Sequence, residues 1–311
     1  MKVLVTGGAG FIGSHLVDKL MLDGHEVVVL DDLSSGSLKN IEHHLDEPGF
    51  RFVKGDIRYA RTVEKALEGV DAVIHEAAIA SVPLSIKDPA LTDEVNIFGT
   101  LNLLEVSLRA KVKRFVYASS CAVYGAASEL PIKEDAPLRP LSPYASSKLA
   151  AEERCKAFHE NYGLETIRLR YFNVYGLRQA AGEYAGVMLK FLERIRRDQP
   201  PVIFGDGEQT RDFVYIGDVV EATLLALDRE GAAGEVFNIG TGEATTIKKL
   251  CEIFLKLTGK THLKPIYMDV KPGDIRHSQA DITKAMKLLG YRPKVSLEWG
   301  VRGFLNRAEL P

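Results

Sequence analysis

A tyrosine and a lysine stand four residues apart in the stretch SPYASSK, at Tyr144 and Lys148. If this stretch begins a helix, both side chains project from the same face. A free phenol has a pKa near ~10, and a neighbouring ammonium group favours its phenolate form. The pair is therefore a candidate acid/base site, although so short a motif is by itself more often plain helix surface.

A serine belongs to the same candidate site. Ser120 lies in YASSCAVYG, directly after the fifth predicted strand. At a strand end its hydroxyl can hydrogen-bond to the same substrate oxygen as Tyr144. The three residues Ser120, Tyr144 and Lys148 form the predicted catalytic set.

The N-terminal stretch VLVTGGAGFIGSHL predicts a strand, a glycine-rich turn and a helix. Gly7, Gly10 and Gly13 allow a tight turn and close approach to a pyrophosphate, which the free N–H groups of the helix N-terminus can bind. Asp31, 18 residues after Gly13, can bind both ribose hydroxyls and would repel a 2′-phosphate, which favours NAD over NADP. Asp32 is an alternative ribose ligand that the sequence does not separate from Asp31.

The elements that position these residues alternate between strand and helix. Strands are predicted at 2–6, 26–30, 50–53, 72–75 and 114–118, and helices at 11–22, 60–67, 90–109 and after Pro143. This alternation predicts an α/β fold with a doubly wound, parallel, Rossmann-type sheet. Residues 1–172, completed by parts of 209–240, are predicted to bind NAD. Residues 173–208 and 241–311 are predicted to form a smaller α/β substrate domain.

Composition and charge exclude several other classes of protein. A net charge of −2 provides no basic excess for nucleic acid. No apolar run reaches the ~18 residues of a membrane span, and a strand at residues 2–6 leaves no room for a signal peptide. Three cysteines without a CxxC pair indicate a reducing compartment and no metal site. We expect a cytoplasmic protein with no metal, nucleic acid or membrane partner.

The order of these motifs resembles the extended short-chain dehydrogenase/reductase family. TGGAGFIGSHL, SSCAVYG, SPYASSKLAAE, RYFNVYG, GDGEQTRDFVYIGDVV and FNIGTG are similar to its sugar-nucleotide epimerases, of the UDP-glucose 4-epimerase type. The resemblance implies tightly held NAD, a UDP-sugar substrate and a homodimer. It also implies that Tyr144 takes the proton of the sugar 4-hydroxyl while hydride passes to NAD. Ser120 then steadies the oxygen, and Lys148 holds the nicotinamide ribose and keeps Tyr144 acidic.

Strand ends and the resemblance together predict two sets of binding residues. The cofactor set is Gly7, Gly10, Phe11, Ile12, Gly13, Asp31, Asp32, Ser35, Gly36, Asp56, Ile57, Ala77, Ala78, Asn96, Tyr144, Lys148 and Phe172. The substrate set is Ser120, Tyr144, Asn173, Val187, Val202, Phe204, Arg211, Lys271, Asp274 and Ser278. Asn173 and Arg211 are expected on the diphosphate, and Val202 and Phe204 by the uracil. Lys271 stands where the family generally has arginine, so Arg276 is an alternative phosphate ligand.

The turn after the fifth strand separates the reactions of this family. Dehydratases carry an acidic pair there and decarboxylases a glutamate, whereas this chain has Cys121 and Ala122, which cannot do that proton work. The prediction is therefore reversible 4-epimerisation of UDP-glucose and UDP-galactose. The resemblance implies that Ser278 stands where the family varies a side chain facing the sugar, and its small size extends the prediction to UDP-GlcNAc and UDP-GalNAc. The alternatives are a UDP-hexuronate 4-epimerase and, less favoured, a dehydratase, a decarboxylase or a non-catalytic NAD-binding regulator.

Overall fold

The computed structural model describes residues 1–179, 186–270, 273 and 275–307. The strands are β1 (Lys2–Thr6), β2 (Glu26–Asp31), β3 (Phe50–Lys54), β4 (Ala72–His75), β5 (Arg114–Ser120), β6 (Glu165–Tyr171), β7 (Asn173–Tyr175), β8 (Val202–Phe204), β9 (Thr210–Arg211), β10 (Phe213–Tyr215), β11 (Val236–Ile239), β12 (Thr245–Thr246) and β13 (Ile266–Met268). The α-helices are α1 (Phe11–Leu22), α2 (Ala60–Ala66), α3 (Val82–Lys87), α4 (Pro89–Asp93), α5 (Thr100–Arg109), α6 (Pro143–Tyr162), α7 (Val187–Arg196), α8 (Ile216–Asp228), α9 (Ile247–Leu257) and α10 (Leu297–Arg307).

A seven-stranded sheet in the order β11-β6-β5-β4-β1-β2-β3 forms the centre of the molecule. Every neighbouring pair within it is parallel. The chain runs outward from β1 to β3 and then crosses to β4 on the other side of β1, so the strand order reverses there. A crevice at the carboxyl ends of β1 and β4 follows from this reversal. The predicted doubly wound Rossmann-type fold is confirmed.

Apolar side chains cover both faces of this sheet, which is why its strands read as continuous hydrophobic runs. Side chains alternate along a strand, so Val3 and Val5 enter one core while Leu4 enters the other. Helices α1 and α8 close the first core, and helices α2, α5 and α6 close the second. The sheet is thereby held rigidly beneath the ligand-binding edge.

The prediction of one continuous α-helix over 90–109 is wrong in detail. Helix α4 ends at Asp93, a π-helical segment runs over Glu94–Gly99, and α5 continues to Arg109. A π turn accommodates an extra residue, which the periodicity of apolar residues does not reveal. The segment contains the predicted cofactor residue Asn96, whose side chain it directs into the protein.

The later part of the chain forms short strand pairs, β7 with β10, β8 with β13 and β9 with β12. Helices α7, α9 and α10 share a third apolar core beside these pairs. Strand β11 returns to the edge of the central sheet, and α8 contributes to its core. The division of the chain into two domains at the stated boundaries stays a prediction. Of the helices that the structure describes, none has the length and apolarity that a membrane crossing requires.

Candidate active site

The glycine-rich turn lies between β1 and α1, at the point where the strand order reverses. Gly7 adopts a left-handed φ of +68°, and a Cβ there would lie 2.7 Å from the amide nitrogen of Ala77. A Cβ on Gly13 would collide with the carbonyl oxygen of Gly7. Helix α1 begins directly after Gly10, which offers no side-chain cap, so its first N–H groups are available to an anion. Only glycine fits these contacts, and the cradle suits a dinucleotide pyrophosphate.

Asp31 ends β2 against this turn and is buried. Its carboxylate accepts hydrogen bonds from the backbone N–H groups of Leu33 (2.8 Å) and Ala9 (2.9 Å). Burial raises the pKa of Asp31, and the two N–H donors oppose that shift. Asp32 is exposed and accepts from the Ser34 N–H at 2.8 Å. Asp31 therefore organises the turn, and both carboxylates stay predictions as ribose ligands.

The predicted adenine wall lies at the end of β3. The Asp56 carboxylate is engaged by Arg58, through its backbone N–H at 2.8 Å and its guanidinium at 2.7 Å. These contacts keep the pKa of Asp56 low although burial opposes them. Ile57 is buried against Gly99. The side chain of Arg58 also contacts Glu94, a pairing that the motif GDIR did not reveal.

Asn96 uses its side chain within the protein. Its Oδ1 accepts from the Ile79 N–H at 2.8 Å, and its Nδ2 donates to the Ile79 carbonyl and to the Ser147 hydroxyl. It thus ties the loop after β4 to helix α6, one residue before Lys148. The geometry gives Asn96 a role in positioning this loop, and its direct cofactor contact stays a prediction.

Other predicted cofactor residues surround the same turn. Gly36 packs against Ala9, Ala77 donates its N–H to the Thr6 hydroxyl at 3.3 Å, and Ser35 is exposed. Phe172 packs its ring in an apolar cluster behind the catalytic turn. The remaining members, Phe11, Ile12 and Ala78, are partly exposed at the edge of the cleft.

The start of α6 fixes the backbone of Tyr144. Ser142 caps the helix by accepting from the Ala145 N–H at 3.1 Å, and Pro143 occupies the first turn. The N–H of Tyr144 donates to the hydroxyl of buried Ser85 at 3.1 Å. Helix α3, which carries Ser85, is therefore part of the support of the candidate base.

Tyr144 and Ser120 meet at the end of β5. Burial raises the pKa of Tyr144 to about 12, and its hydrogen bond with the Ser120 side chain lowers that pKa. Ser120 also accepts from the Ala122 N–H at 3.2 Å, which fixes its hydroxyl over the turn. The structure therefore brings the predicted serine and tyrosine close together at the end of β5.

Lys148 lies one helical turn after Tyr144, with 4% of its surface exposed. Its ammonium donates to the Ala118 carbonyl at 2.8 Å and sits 5.0 Å from the centre of the Tyr117 ring. Burial lowers the pKa of Lys148 to about 8, and the negative charge of Glu76 opposes that shift. The ammonium is thus held at the strand end beside the other two catalytic candidates.

A buried polar network that the motifs did not predict underlies this cluster. Arg170 on β6 pairs with Glu152 on α6 through contacts of 2.7, 3.0 and 3.2 Å. Glu152 also accepts from the hydroxyl of Ser119, the residue before Ser120. Arg170 donates to the Tyr124 hydroxyl at 2.9 Å. The network fixes β5 and α6 to each other directly beneath the catalytic residues.

The substrate side of the site approaches the same turn. Burial raises the pKa of Cys121, next to Ser120, to about 12, and the positive charge of Arg211 opposes that shift. Ser278 is 1% exposed. The structure therefore brings two predicted substrate residues to the catalytic turn. Buried Asp212 holds the following loop by accepting from Thr241 (2.7 Å), Gly242 (2.9 Å) and Ala280 (3.1 Å), and no motif singled it out.

Other predicted substrate residues line the second half of the chain. Asn173 begins β7, Val187 begins α7, and Val202 and Phe204 flank buried Ile203 on β8, all four partly exposed. The guanidinium of Arg276 is paired with the carboxylate of Asp206 at 2.7 and 2.8 Å. This pairing competes with a phosphate for Arg276. Lys271 and Asp274 lie outside the described residues.

One group of possible metal ligands occurs among the described residues, away from the catalytic cluster. Asp18, His43 and His44 place one ligand atom each within 4.8 Å of one another. Asp18 is already paired with Arg178 at 2.8 Å, which opposes a cation there. The expected absence of a metal stays a prediction.

Comparisons with known proteins extend over the whole chain. A sequence profile described as the NAD dependent epimerase/dehydratase family matches residues 3–240. The structure of UDP-glucose 4-epimerase from Thermotoga maritima with UDP-glucose is 42% identical and covers 98% of each chain, with a TM-score of 0.93. UDP-N-acetylglucosamine 4-epimerase from Methanobrevibacter ruminantium, in complex with UDP-N-acetylmuramic acid, is 39% identical, with 98% of this chain and 97% of that chain covered and a TM-score of 0.93.

A third structure contains both classes of ligand. UDP-glucuronic acid 4-epimerase from Bacillus cereus, in complex with UDP-glucuronic acid and NAD, is 37% identical, with 98% of each chain covered and a TM-score of 0.92. The match of the family profile and the likeness in sequence and fold agree with each other. This chain belongs to the NAD-dependent epimerase/dehydratase family.

Proposed function

We propose that this protein is an isomerase that reversibly epimerises a UDP-hexose at C4 with tightly bound NAD. The observation that carries the proposal is the meeting of Ser120, Tyr144 and Lys148 at the sheet edge, beside the glycine-rich turn. The family membership and the UDP-sugar 4-epimerases that resemble the chain support it.

The residues at the sheet edge fit NAD. Gly7 and Gly13 leave a backbone cradle that any side chain would fill, and it faces the N-terminus of α1. Asp31 places a carboxylate at the end of β2, where a 2′-phosphate would be repelled. When bound, NAD supplies the acceptor and donor of the hydride at C4 of the sugar.

The side chains of the protein handle the proton. Tyr144, as phenolate, accepts the proton of the 4-hydroxyl and later returns it to the same oxygen. The Ser120 hydroxyl, near Tyr144 at the end of β5, hydrogen-bonds to that oxygen as its charge develops. The Lys148 ammonium favours the phenolate by its positive charge. The 4-keto sugar turns between the two proton transfers, so either face of C4 is presented.

The turn after β5 supports epimerisation over elimination. Burial raises the pKa of the Cys121 thiol to about 12. The thiol is therefore protonated at neutral pH and cannot act as a base. Ala122 beside it has no titratable group. Elimination of water requires a second acid or base, and these two positions supply none.

The predicted substrate residues support a UDP-sugar with either a hydroxyl or an acetamido group at C2. Arg211 is proposed to pair with the diphosphate, since a guanidinium binds phosphate bidentately. The family resemblance implies that the side chain of Ser278 faces the sugar, and its small size supports acceptance of an acetamido group at C2. We include UDP-glucose, UDP-galactose, UDP-GlcNAc and UDP-GalNAc in the proposed substrate range.

The test is incubation of the purified protein, without added NAD, with each of these four sugars and with UDP-glucuronate. Interconversion at C4 of a hexose or N-acetylhexosamine supports the proposal and names the substrate. Turnover of UDP-glucuronate alone would identify a hexuronate epimerase instead. A protein that holds NAD and converts none of the five would refute the epimerase function.

A further inference from the structure

The aromatic ring of Tyr117 lies against the ammonium of Lys148 and has no role in the mechanism above. Tyr117 is on β5 and is 1% exposed. Side chains alternate along a strand, so Tyr117 enters the core that α6 covers, whereas Ala118 enters the opposite one. Lys148 reaches the sheet from α6, and its Nζ lies over the Tyr117 ring, 5.0 Å from the ring centre. The ring and the ammonium are therefore on the same side of the sheet.

Two further contacts fix the ammonium and the ring relative to each other. Lys148 donates one of its three ammonium hydrogens to the carbonyl of Ala118 at 2.8 Å, directly after Tyr117 in the chain. His75 on β4 is the partner of Tyr117 in the register of the sheet, and the two ring centres are 5.6 Å apart. Both nitrogens of the His75 ring are hydrogen-bonded to threonine hydroxyls. The central sheet therefore holds the ring face in place under the ammonium.

The ring of Tyr117, and not its hydroxyl, accounts for this contact. The hydroxyl is buried, and no described residue hydrogen-bonds to it. Burial also raises the pKa of Tyr117 well above its usual value, so the side chain is a neutral phenol and not an oxyanion. The face of such a ring attracts a cation within about 6 Å, and more strongly where water is excluded. The geometry of this pair meets both conditions.

We infer that Tyr117 is a positioning residue for the proposed reaction, whose ring holds the Lys148 ammonium at the end of β5 by a cation–π contact. The inference rests on the proposed function, in which this ammonium favours the phenolate of Tyr144. Because a cation–π contact is made only with the charged form of the lysine, the ring both places the ammonium and helps it to keep its proton.

Other titratable groups face the ammonium from β4 and α6. They are Glu76, His75, Glu152 and Cys155. Side chains of β6 engage the two carboxylates, at 2.9 Å for Glu76 and 2.7 Å for Glu152. His75 and Cys155 are neutral, because burial lowers the pKa of the former to about 3 and raises that of the latter. Within the described part of the chain, none of the four hydrogen-bonds to the ammonium, which leaves the Tyr117 ring as its direct side-chain neighbour.

Removal of the ring should make the ammonium easier to deprotonate. Activity requires the Lys148 ammonium, so it falls as pH rises through the pKa of Lys148. Tyr117→Leu should move this alkaline limb of kcat/KM to lower pH by on the order of one unit, the shift expected for loss of a desolvated cation–π contact. Tyr117→Phe keeps the ring face and should match the unmodified protein. An unmoved limb in Tyr117→Leu, or an equal displacement in Tyr117→Phe, would overturn the inference.

Phe115→Leu is the matched control for the cavity that Tyr117→Leu leaves. Phe115 lies two residues earlier on β5, in the same core, and is fully buried. Its ring also packs beside His75, with 5.8 Å between the ring centres. The control should lose stability but keep the alkaline limb of the unmodified protein. A displacement equal to that of Tyr117→Leu in this control would assign the effect to packing and overturn the inference.

Phenylalanine derivatives with one, two and three ring fluorines, incorporated at position 117, test the ring without a cavity. Fluorine withdraws electron density from the ring face while the shape of the side chain changes little, so the attraction for a cation weakens stepwise. The alkaline limb should move to lower pH with each added fluorine. A limb that does not depend on the number of fluorines would overturn the inference, even where Tyr117→Leu fails to fold.

A second measurement needs no substrate. The titration of Lys148 is followed by NMR in protein with isotope-labelled lysine, where the Lys148 signal is the one absent from Lys148→Met. Its midpoint should fall in Tyr117→Leu and along the fluorinated series, and stay unchanged in Tyr117→Phe. Unchanged midpoints throughout would overturn the inference even in an active epimerase. Lowered midpoints in a protein that converts no sugar would uphold it while the proposed function fails.

Discussion

At the scale of single residues, the proposed chemistry depends on Tyr144 and on Ser120 near it. Burial makes the phenol a weak acid, and the serine hydroxyl lowers its pKa again. A cation must complete the activation, because a phenol with a pKa near 12 is protonated at neutral pH. Lys148, and the positive nicotinamide ring when NAD is bound, are placed to supply it.

We predict that Tyr144→Phe lowers kcat by about 10²–10⁴-fold, because the general acid/base is lost while the ring remains. NAD content and the melting temperature should stay unchanged, since the Tyr144 backbone, held by Ser85, is not altered. The measurements are steady-state kinetics, cofactor content after denaturation and thermal unfolding. A variant that retains most of its activity would contradict the acid/base role.

Ser278→Tyr should suppress turnover of UDP-GlcNAc and UDP-GalNAc while sparing UDP-glucose, because the family resemblance implies that this side chain faces the sugar, where a phenol would exclude an acetamido group. Ser278→Ala removes the hydroxyl but keeps the space, and serves as the matched control. The ratio of kcat/KM for acetamido and plain sugars is the measurement. Equal loss of both classes in Ser278→Tyr would refute the pocket argument.

At the scale of elements, β5 and α6 carry the proposed catalytic groups, and a buried ion pair joins α6 to the neighbouring strand β6. Arg170 and Glu152 are 4% and 1% exposed at their side chains. A buried pair need not add net stability, but breaking it leaves an uncompensated charge. The pair therefore makes the catalytic geometry depend on β6 as well.

Glu152→Gln should lower the free energy of unfolding by about 3–5 kcal/mol, because the Arg170 guanidinium loses its buried counter-ion. Glu160→Gln, on the same helix, is the matched control. Its exposed pair with Lys156 is 3.9 Å long, and such pairs contribute about 0–1 kcal/mol. Urea unfolding of both variants is the measurement, and equal losses would contradict the role of burial.

Gly13→Ala should abolish retention of NAD through purification, since a Cβ there collides with the Gly7 carbonyl and opens the turn before α1. Gly303→Ala, in α10, meets nothing within 4 Å and should retain NAD. Cofactor absorbance of the purified proteins provides the comparison. Equal NAD content in both variants would refute the close-packing argument for the turn.

At the scale of the whole molecule, buried titratable groups link stability to pH. The two ring nitrogens of His75 hydrogen-bond with the hydroxyls of Thr6 at 2.7 Å and Thr100 at 2.9 Å, and burial lowers the pKa of His75 to about 3. Between about pH 6.5 and 3 the unfolded chain therefore binds a proton that the folded protein does not. Stability should fall with falling pH in this window, by at most ~1.4 kcal/mol per pH unit from this group.

The test is urea unfolding at a series of pH values for the unmodified protein and for His75→Gln, which cannot titrate. The variant is expected to show a shallower loss of stability below pH 6.5, whatever its stability at neutral pH. Identical slopes in the two proteins would exclude His75 as the source.

Assembly is the other property of the whole molecule. Phe98 on the π-helical segment and Tyr162 at the end of α6 are 62% and 60% exposed, and the family resemblance implies a homodimer. We expect twice the mass of one chain in analytical ultracentrifugation, and a weakened association in Phe98→Asp. Leu22→Asp, at an exposed site on α1, should leave the mass unchanged. A monomer at all concentrations would refute the proposed dimer.

The sequence by itself determined the strand and helix alternation and the glycine-rich turn, and it predicted the catalytic set. These features depend on spacing along the chain, such as four residues between Tyr144 and Lys148, and local geometry fixes what such spacing does. The predicted sheet was confirmed because it depends on this local periodicity. The π turn inside 90–109 was missed because periodicity does not reveal its extra residue.

Only the tertiary structure decided which polar and charged groups meet. Glu76 contacts Tyr171 across 95 positions of sequence, and Arg276 contacts Asp206 across 70. No periodicity encodes such pairs, because they form only when distant strands end at one edge of the sheet. The environment of Lys148, and with it the pH range in which its ammonium persists, therefore follows from the fold and not from the motif.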